Sequence, residues 1–266
     1  MYDTLLVPLD GSTFSERALP LAVTLAQRMQ ARIILLHVIS APVFPGGDTV
    51  EAERQTGEEA QVYLAHLAST IAAEGLHTET TLAYGQAAES ILLEIKSAGA
   101  DLVVMCSHGR SGLGRWIFGS VAEQVLAHSP VPVLLVRPTG EPVALGPESA
   151  QPALLVPLDG SPLAETALPH AATLARAFGS TILLLRTVEP SMLAYHYSLR
   201  DLAQESLRNE QDEAKAYLDA VAEHLRGDGL LVQTLVLIGW PSDVISYRGA
   251  TLGPRLVIMA THGRSG

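Results

Sequence analysis

Along the first half of the chain, short apolar runs alternate with longer amphipathic stretches. The runs fall at residues 4–9, 32–39, 77–83, 101–106 and 131–136, and most are apolar almost throughout, with Val, Ile and Leu dominant. Strands of that kind are buried on both faces and belong to a parallel sheet covered by helices. Between them the apolar period lengthens to that of a helix over residues 13–30, 50–74, 87–98 and 120–128. This alternation predicts an α/β fold built on a doubly wound parallel sheet, Rossmann-like, with right-handed crossovers. Pro20 and Pro169 fall inside the expected first helix of each half, where a kink is expected.

The pattern occurs twice. Shifted by 149 residues, the segment 5–27 (LLVPLDGSTFSERALPLAVTLAQ) meets LLVPLDGSPLAETALPHAATLAR with 16 of 23 positions identical. Further on, DLVVMCSHGRSG matches RLVIMATHGRSG at 8 of 12 positions with the offset grown to 154. A period this long is duplication of a whole domain rather than a solenoid repeat. The expected organisation is a first domain over 1–138, a linker over 139–152 and a second domain over 153–266. Strands in the second copy are expected at 153–158, 180–188, 230–237 and 255–260. Gly266 is the counterpart of Gly112, so the counterparts of residues 113–137 do not occur here. The expectation is that the native chain continues beyond them.

With 266 residues, 48% apolar and 17% charged, the chain has the composition of two globular domains of ordinary size. Its apolar runs are far shorter than the ~18 residues of a membrane span. The chain enters its first strand at once, which points to a cytoplasmic location without membrane attachment. Its one cysteine, Cys106, excludes an internal disulfide and a thiolate-rich metal site. The net charge of −11, with Arg and Lys scattered, argues against nucleic acid as a partner. It does not argue against a small anion held by backbone N–H groups at a helix N-terminus.

In an open parallel sheet, ligands bind beyond the carboxyl ends of the strands. Asp10 ends the first strand and precedes Gly11-Ser12. It is either part of a helix-starting turn or a carboxylate that accepts a hydrogen bond from a ribose hydroxyl. Ser12 as the cap would leave it free. The segment from Cys106 to Ser120, CSHGRSGLGRWIFGS, is longer than the ~2–6 residues of an ordinary strand-to-helix connection. Its glycines permit close backbone approach to an anion, and Gly119-Ser120 opens the next helix. It is neither a Walker loop nor GxGxxG after the first strand. His108 and His262 share one loop position and are expected to pack within it. Arg110 and Arg264 are read equally as phosphate contacts or solvated side chains. No nucleophile–base pair, GxSxG, HExxH or metal-binding carboxylate pair is present in the sequence.

These features together resemble the universal stress protein family: LLVPLDGS at the start, LLHVI ending the second strand, and Met105-Cys106-Ser107-His108-Gly109, nine residues, then Gly119-Ser120. ATP-binding members of that family carry Gly, two residues, Gly, nine residues, Gly-Ser/Thr. The resemblance implies adenine against the backbone at Val38 and ribose on Asp10. It implies phosphates along Cys106, Ser107, His108 and Gly109 and on Gly119, Ser120 and Val121, with Pro8, Leu9 and Met105 lining the pocket. The ligand implied is ATP, AMP or ADP, with Mg as a companion ion. The departure is Cys106, and Ala260 in copy two, at the first motif glycine. In the second half the corresponding positions are Asp159, Thr187 and Gly263. The resemblance also implies a homodimer or an intrachain pseudo-dimer through the last strand of each domain. The expected function is nucleotide binding in stress response or signalling without efficient turnover. The alternatives are a nucleotide-free interaction module and a slow ATPase or other adenine-nucleotide enzyme.

Overall fold

The computed structural model describes residues 2–40, 49–107, 119–137, 154–190, 200–248 and 256–261, and it falls into two compact units, 1–142 and 143–266. The first unit runs β1 (Thr4–Leu9), a 3-10 turn (Ser15–Ala18), α1 (Leu19–Met29), β2 (Arg32–Ile39), α2 (Thr49–Ala72) and β3 (Thr78–Tyr84). It continues with α3 (Ala87–Ser97), β4 (Leu102–Cys106), α4 (Ser120–His128) and β5 (Val133–Val136). All five strands are parallel, in the order β3-β2-β1-β4-β5. This is the doubly wound α/β sheet that the apolar pattern predicts.

The sheet is held by strands that are hydrophobic on both sides. Every residue of β1 is buried, and Leu5, Leu6, Ile33, Leu35 and Leu36 are all but inaccessible. One face packs against α3 and α4 through Ile91, Ile95 and Val125, which meet Leu6, Leu36 and Val103. At the start of the sheet the Asp101 carboxylate accepts the backbone N–H groups of Asp3 (2.8 Å) and Thr4 (3.2 Å). It thus pins the entry of β4 to the entry of β1.

The first helix differs from expectation. The segment 13–30 is a 3-10 turn followed by an α-helix, and Pro20 lies in the first turn of that α-helix rather than in its interior. The same division occurs in the second half, where α5 (Pro162–Glu165) gives way at Thr166 to α6 (Ala167–Phe178) and Pro169 lies in the first turn of α6. First-turn N–H groups have no intrahelical partner, so proline removes no hydrogen bond there. The expected kink is a restart of the helix.

The second unit continues with β6 (Leu154–Pro157), the helices α5 and α6, β7 (Ile182–Val188), α7 (Arg200–Gly227), β8 (Val232–Ile238), α8 (Pro241–Asp243), a π-turn (Val244–Arg248) and β9 (Leu256–Val257). Its four strands are parallel in the order β8-β7-β6-β9. β9 is shorter than the expected 255–260. Among the described residues β4 is paired on both sides, whereas β9 is paired to β6 alone.

Leu6 is fully buried at the centre of the first sheet. Leu6→Ala is expected to destabilise the first unit by about 2–5 kcal/mol, read as a lower midpoint in urea unfolding.

Candidate functional site

The strand order reverses direction between β1 and β4, and the pairing opens there. β1 and β4 are in register only at Leu5 with Leu102 and Leu6 with Val103, although β1 runs to Leu9 and β4 to Cys106. β1 stays paired with β2 to its last residue, Leu9 opposite His37. A crevice at such a reversal, beyond the carboxyl ends of the strands, is where open α/β sheets bind ligands. Pro8 and Leu9 end β1, with Asp10 following, and Val38 lies near the end of β2, while Met105 and Cys106 end β4, with Ser107 following, on the other side of the reversal.

Asp10 is half-buried at the mouth. Its Oδ1 accepts the backbone N–H of Ser12 (3.0 Å) and the Ser12 hydroxyl (2.5 Å). The Ser12 Oγ in turn accepts the N–H of Ser15 (3.2 Å). Buried Ser15 closes the turn: its Oγ donates to the Ser12 carbonyl (2.9 Å) and accepts the Asp10 N–H (3.3 Å). Ser12 therefore does cap the turn, but it does not leave Asp10 free, because one carboxylate oxygen belongs to the turn. Gly11, at φ 77°, takes the left-handed conformation that lets Asp10 face back onto Ser12.

On the opposite wall, Cys106 and Ser107 are buried, and the Ser107 N–H donates to the Val136 carbonyl (2.9 Å). The Gly119 N–H donates to the Ser107 carbonyl (2.9 Å), so the two ends of the long connection are tied together. His108 and Gly109 lie outside the described residues. Gly119 precedes α4 in an extended conformation, and no side chain caps the helix. The first turn of α4, with Ser120 and Val121, thus starts just beyond the carboxyl end of β4; backbone N–H groups and the dipole of a helix start favour an anion. Gln30 is the one described residue other than glycine with positive φ. Cys106 therefore sits in ordinary extended backbone, and a Cβ there costs no strain.

The second half rebuilds part of this turn, with Ala164 in the place of Ser15 and hence without the two hydrogen bonds of the Ser15 hydroxyl. Asp159 Oδ1 accepts the Ser161 N–H (2.8 Å), and Ser161 Oγ accepts the Ala164 N–H (3.1 Å) at the start of α5. Gly160 has φ 84°, and a Cβ on it would lie 3.1 Å from Arg186 Nη1. Thr187 follows Arg186 near the end of β7. Gly263 lies outside the described residues.

Two residues escaped the motif-based reading. Tyr63, on α2, donates its hydroxyl to Glu16 Oε1 (3.0 Å) in the 3-10 turn, and Tyr217, on α7, donates to Glu165 Oε1 (2.8 Å) in α5. His37 stands edge-on to the Tyr63 ring at 6.1 Å, and the Arg186 guanidinium lies over the Tyr217 ring at 4.8 Å. Burial, foremost, then the acceptor glutamate and the nearby Asp10 charge push the Tyr63 phenol well above its ordinary range. Tyr217 is raised by burial, Glu165 and Asp159, with Arg186 opposing. Both phenols thus sense the aspartate at the end of the first strand. The signal was present in the sequence: Glu16 and Glu165 differ by the first offset, 149, and Tyr63 and Tyr217 by the second, 154.

The model of the Universal stress protein family matches residues 1–137 and again 153–266. A universal stress protein of Bacillus subtilis, YxiE, is 34% identical over 148 residues, covering 52% of this chain and all of its own. A universal stress protein of Thermus aquaticus is 34% identical over 140 residues, with 52% and 100% covered. Among solved structures, a universal stress protein from Archaeoglobus fulgidus superposes over 96% of this chain and 85% of its own, at 22% identity and a TM-score of 0.74.

The raised phenols bear on alkaline stability. A folded chain that holds its phenolic protons more tightly than the unfolded chain keeps that stabilisation below pH ~10 and loses it as pH rises towards the folded-state values. Tyr2, pushed up to about 12 by burial and the Asp101 charge, adds to the same trend. The melting temperature is expected to fall above pH ~10, and a Tyr63→Phe/Tyr217→Phe chain to fall less steeply from a lower start. Melting curves between pH ~8 and pH ~11.5 test this.

Proposed function

Because the chain belongs to the universal stress protein family, we propose that its first half binds an adenine nucleotide, ATP or its AMP and ADP relatives. In this reading it serves in the cytoplasm, in stress response or signalling, without efficient turnover. The observation that carries the proposal is the convergence at one strand reversal of the Asp10 turn, the Val38 backbone and the tied Ser107–Gly119 segment leading into α4.

Adenine is placed against the Val38 backbone and ribose on Asp10, whose Oδ2 is not the oxygen that closes the turn. Phosphates run along Cys106, Ser107, His108 and Gly109 to Gly119, Ser120 and Val121, with Pro8, Leu9 and Met105 as the apolar lining. Mg accompanies the phosphates. The donor set suits the group: backbone N–H groups at the start of an uncapped helix provide for phosphate without lysine or arginine. When bound, the nucleotide supplies recognition rather than reaction, since no general base or phosphate-loop lysine belongs to the set. Asp159, Thr187 and Gly263 are assigned the corresponding places in the second half, and β5 the association of domains.

Millimolar ATP is expected to raise the melting temperature of the full chain, and Asp10→Ala to weaken binding about tenfold, as for a lost charged hydrogen bond of ~1.4 kcal/mol. No shift with ATP, AMP or ADP would sink the proposal. Phosphate release faster than on the order of one event per minute would overturn the claim of inefficient turnover. Cys106→Gly is expected to cost about 1 kcal/mol of stability, as glycine in a strand does, while changing affinity less than about twofold. A large gain in affinity on titration would mean that the cysteine obstructs phosphate.

A further inference from the structure

The Asp-Gly-Ser turn is closed by hydrogen bonds among Asp10, Ser12 and Ser15, all local to the turn, and a carboxylate that recognises ribose must also be held in place as a unit, to within a fraction of an ångström. The turn leads directly into the 3-10 segment Ser15–Ala18, a class of helix with poorer hydrogen-bond geometry than the α-helix. That segment packs against β1, β4 and β5 through buried Ser15 and Ala18, and a side-chain hydrogen bond ties it to α2: Tyr63 reaches across to Glu16, the neighbour of the serine whose Oγ accepts the Asp10 N–H. The tyrosine–glutamate bond is built twice, with Ala164 in the place of Ser15 in the second half. Glu165 and Tyr217 repeat it beside Asp159, although only 7 of the 24 residues of α2 are identical in α7 and the strand residue against the tyrosine has changed from His37 to Arg186. Neither tyrosine belongs to the phosphate segment, and neither lies on a strand that lines the crevice.

We propose that Tyr63 is a positioning residue for the nucleotide site: its hydrogen bond to Glu16 latches the 3-10 turn to α2 and so orients the Asp10 carboxylate towards ribose. Tyr217 and Glu165 act likewise on Asp159, through the Ala164 N–H on Ser161 Oγ and the Ser161 N–H on Asp159. This rests on the assignment of Asp10 to an adenine nucleotide. Affinity then depends on a helix that makes no contact with the ligand, and any change that shifts α2 alters binding through the turn. A purely structural tyrosine would instead change stability and leave affinity alone.

The test is titration calorimetry of ATP into the full chain and its variants. Tyr63→Phe, which keeps the ring and removes the donor, is expected to weaken binding about three- to fivefold. In an Asp10→Ala background the same substitution is expected to cost nothing further, since a residue acting through Asp10 has nothing left to orient. Glu16→Ala is expected to behave like Tyr63→Phe, and Glu16→Gln, which keeps an acceptor oxygen, to recover most of the loss. Unchanged affinity in Tyr63→Phe, or equal losses with and without Asp10, would overturn the proposal. Amide exchange without nucleotide keeps the latch separable from the choice of ligand. Tyr63→Phe is expected to speed exchange at Asp10, Ser12 and Ser15 while α2 stays protected, and an unaltered turn would overturn the latch even if ATP binds. Failure of the unsubstituted chain to bind ATP, AMP or ADP, with the turn loosened as expected, would reject the nucleotide and the ribose-orienting role together and leave only a structural latch.

Discussion

β1 is buried along its entire length, and this constraint places everything else. A strand with both faces covered by apolar neighbours has no room for a polar side chain that reaches solvent. The first residue of the segment able to carry chemistry is therefore the one that leaves the sheet, Asp10. β1 also stands between β2 and β4, which places its end beside the crevice opened by the reversal of strand order. The same logic governs β6, where Leu154, Leu155 and Val156 are inaccessible and Asp159 follows at the exit. In the proposed reading an acidic chain presents a site for an anion in this way, because the donors are main-chain groups at a helix start rather than cations that would appear in the net charge.

Much of this was legible in the sequence because burial on both faces writes itself as uninterrupted aliphatic runs. β1 and β2 occupy the segments expected of them, and α4 begins and ends where its amphipathic pattern does. The duplication made the reading firmer, since each half vouches for the other. Failures occurred where one residue type serves two structures. A proline eleven residues after a strand, as Pro20 is after Leu9, looks like a kink in a long helix, but it also suits the first turn of a new one, and only the division at Ala18–Leu19 decides. Serine after Asp-Gly looks like a cap that relieves the aspartate, whereas its hydroxyl both caps the turn and donates to the same carboxylate.

The tyrosine–glutamate pairs were illegible for a different reason. Tyr63 lies 47 residues from Glu16, and the pairing depends on how α2 rotates onto the sheet, which periodicity fixes only to within a turn. A half-buried tyrosine on an amphipathic helix has no motif. Its one trace is that two offsets, each set by a different stretch of the repeat, bring a glutamate and a tyrosine into the same relation twice.

The two halves also show which parts of the arrangement tolerate change. The Asp-Gly-Ser turn, its left-handed glycine and the tyrosine that braces it recur, while the strand-end residues drift: His37 to Arg186, Val38 to Thr187. The substitution at the first of these is not neutral electrostatically. An imidazole meets the tyrosine edge in one half, and in the other a guanidinium lies over the ring and against Gly160. Arg186 thus fills space that a side chain at position 160 would need, so glycine is required there by the close approach as well as by its φ. Duplication kept the Asp-Gly-Ser sequence with its left-handed glycine and varied the side chain beside it, which sets two related turns in different fields.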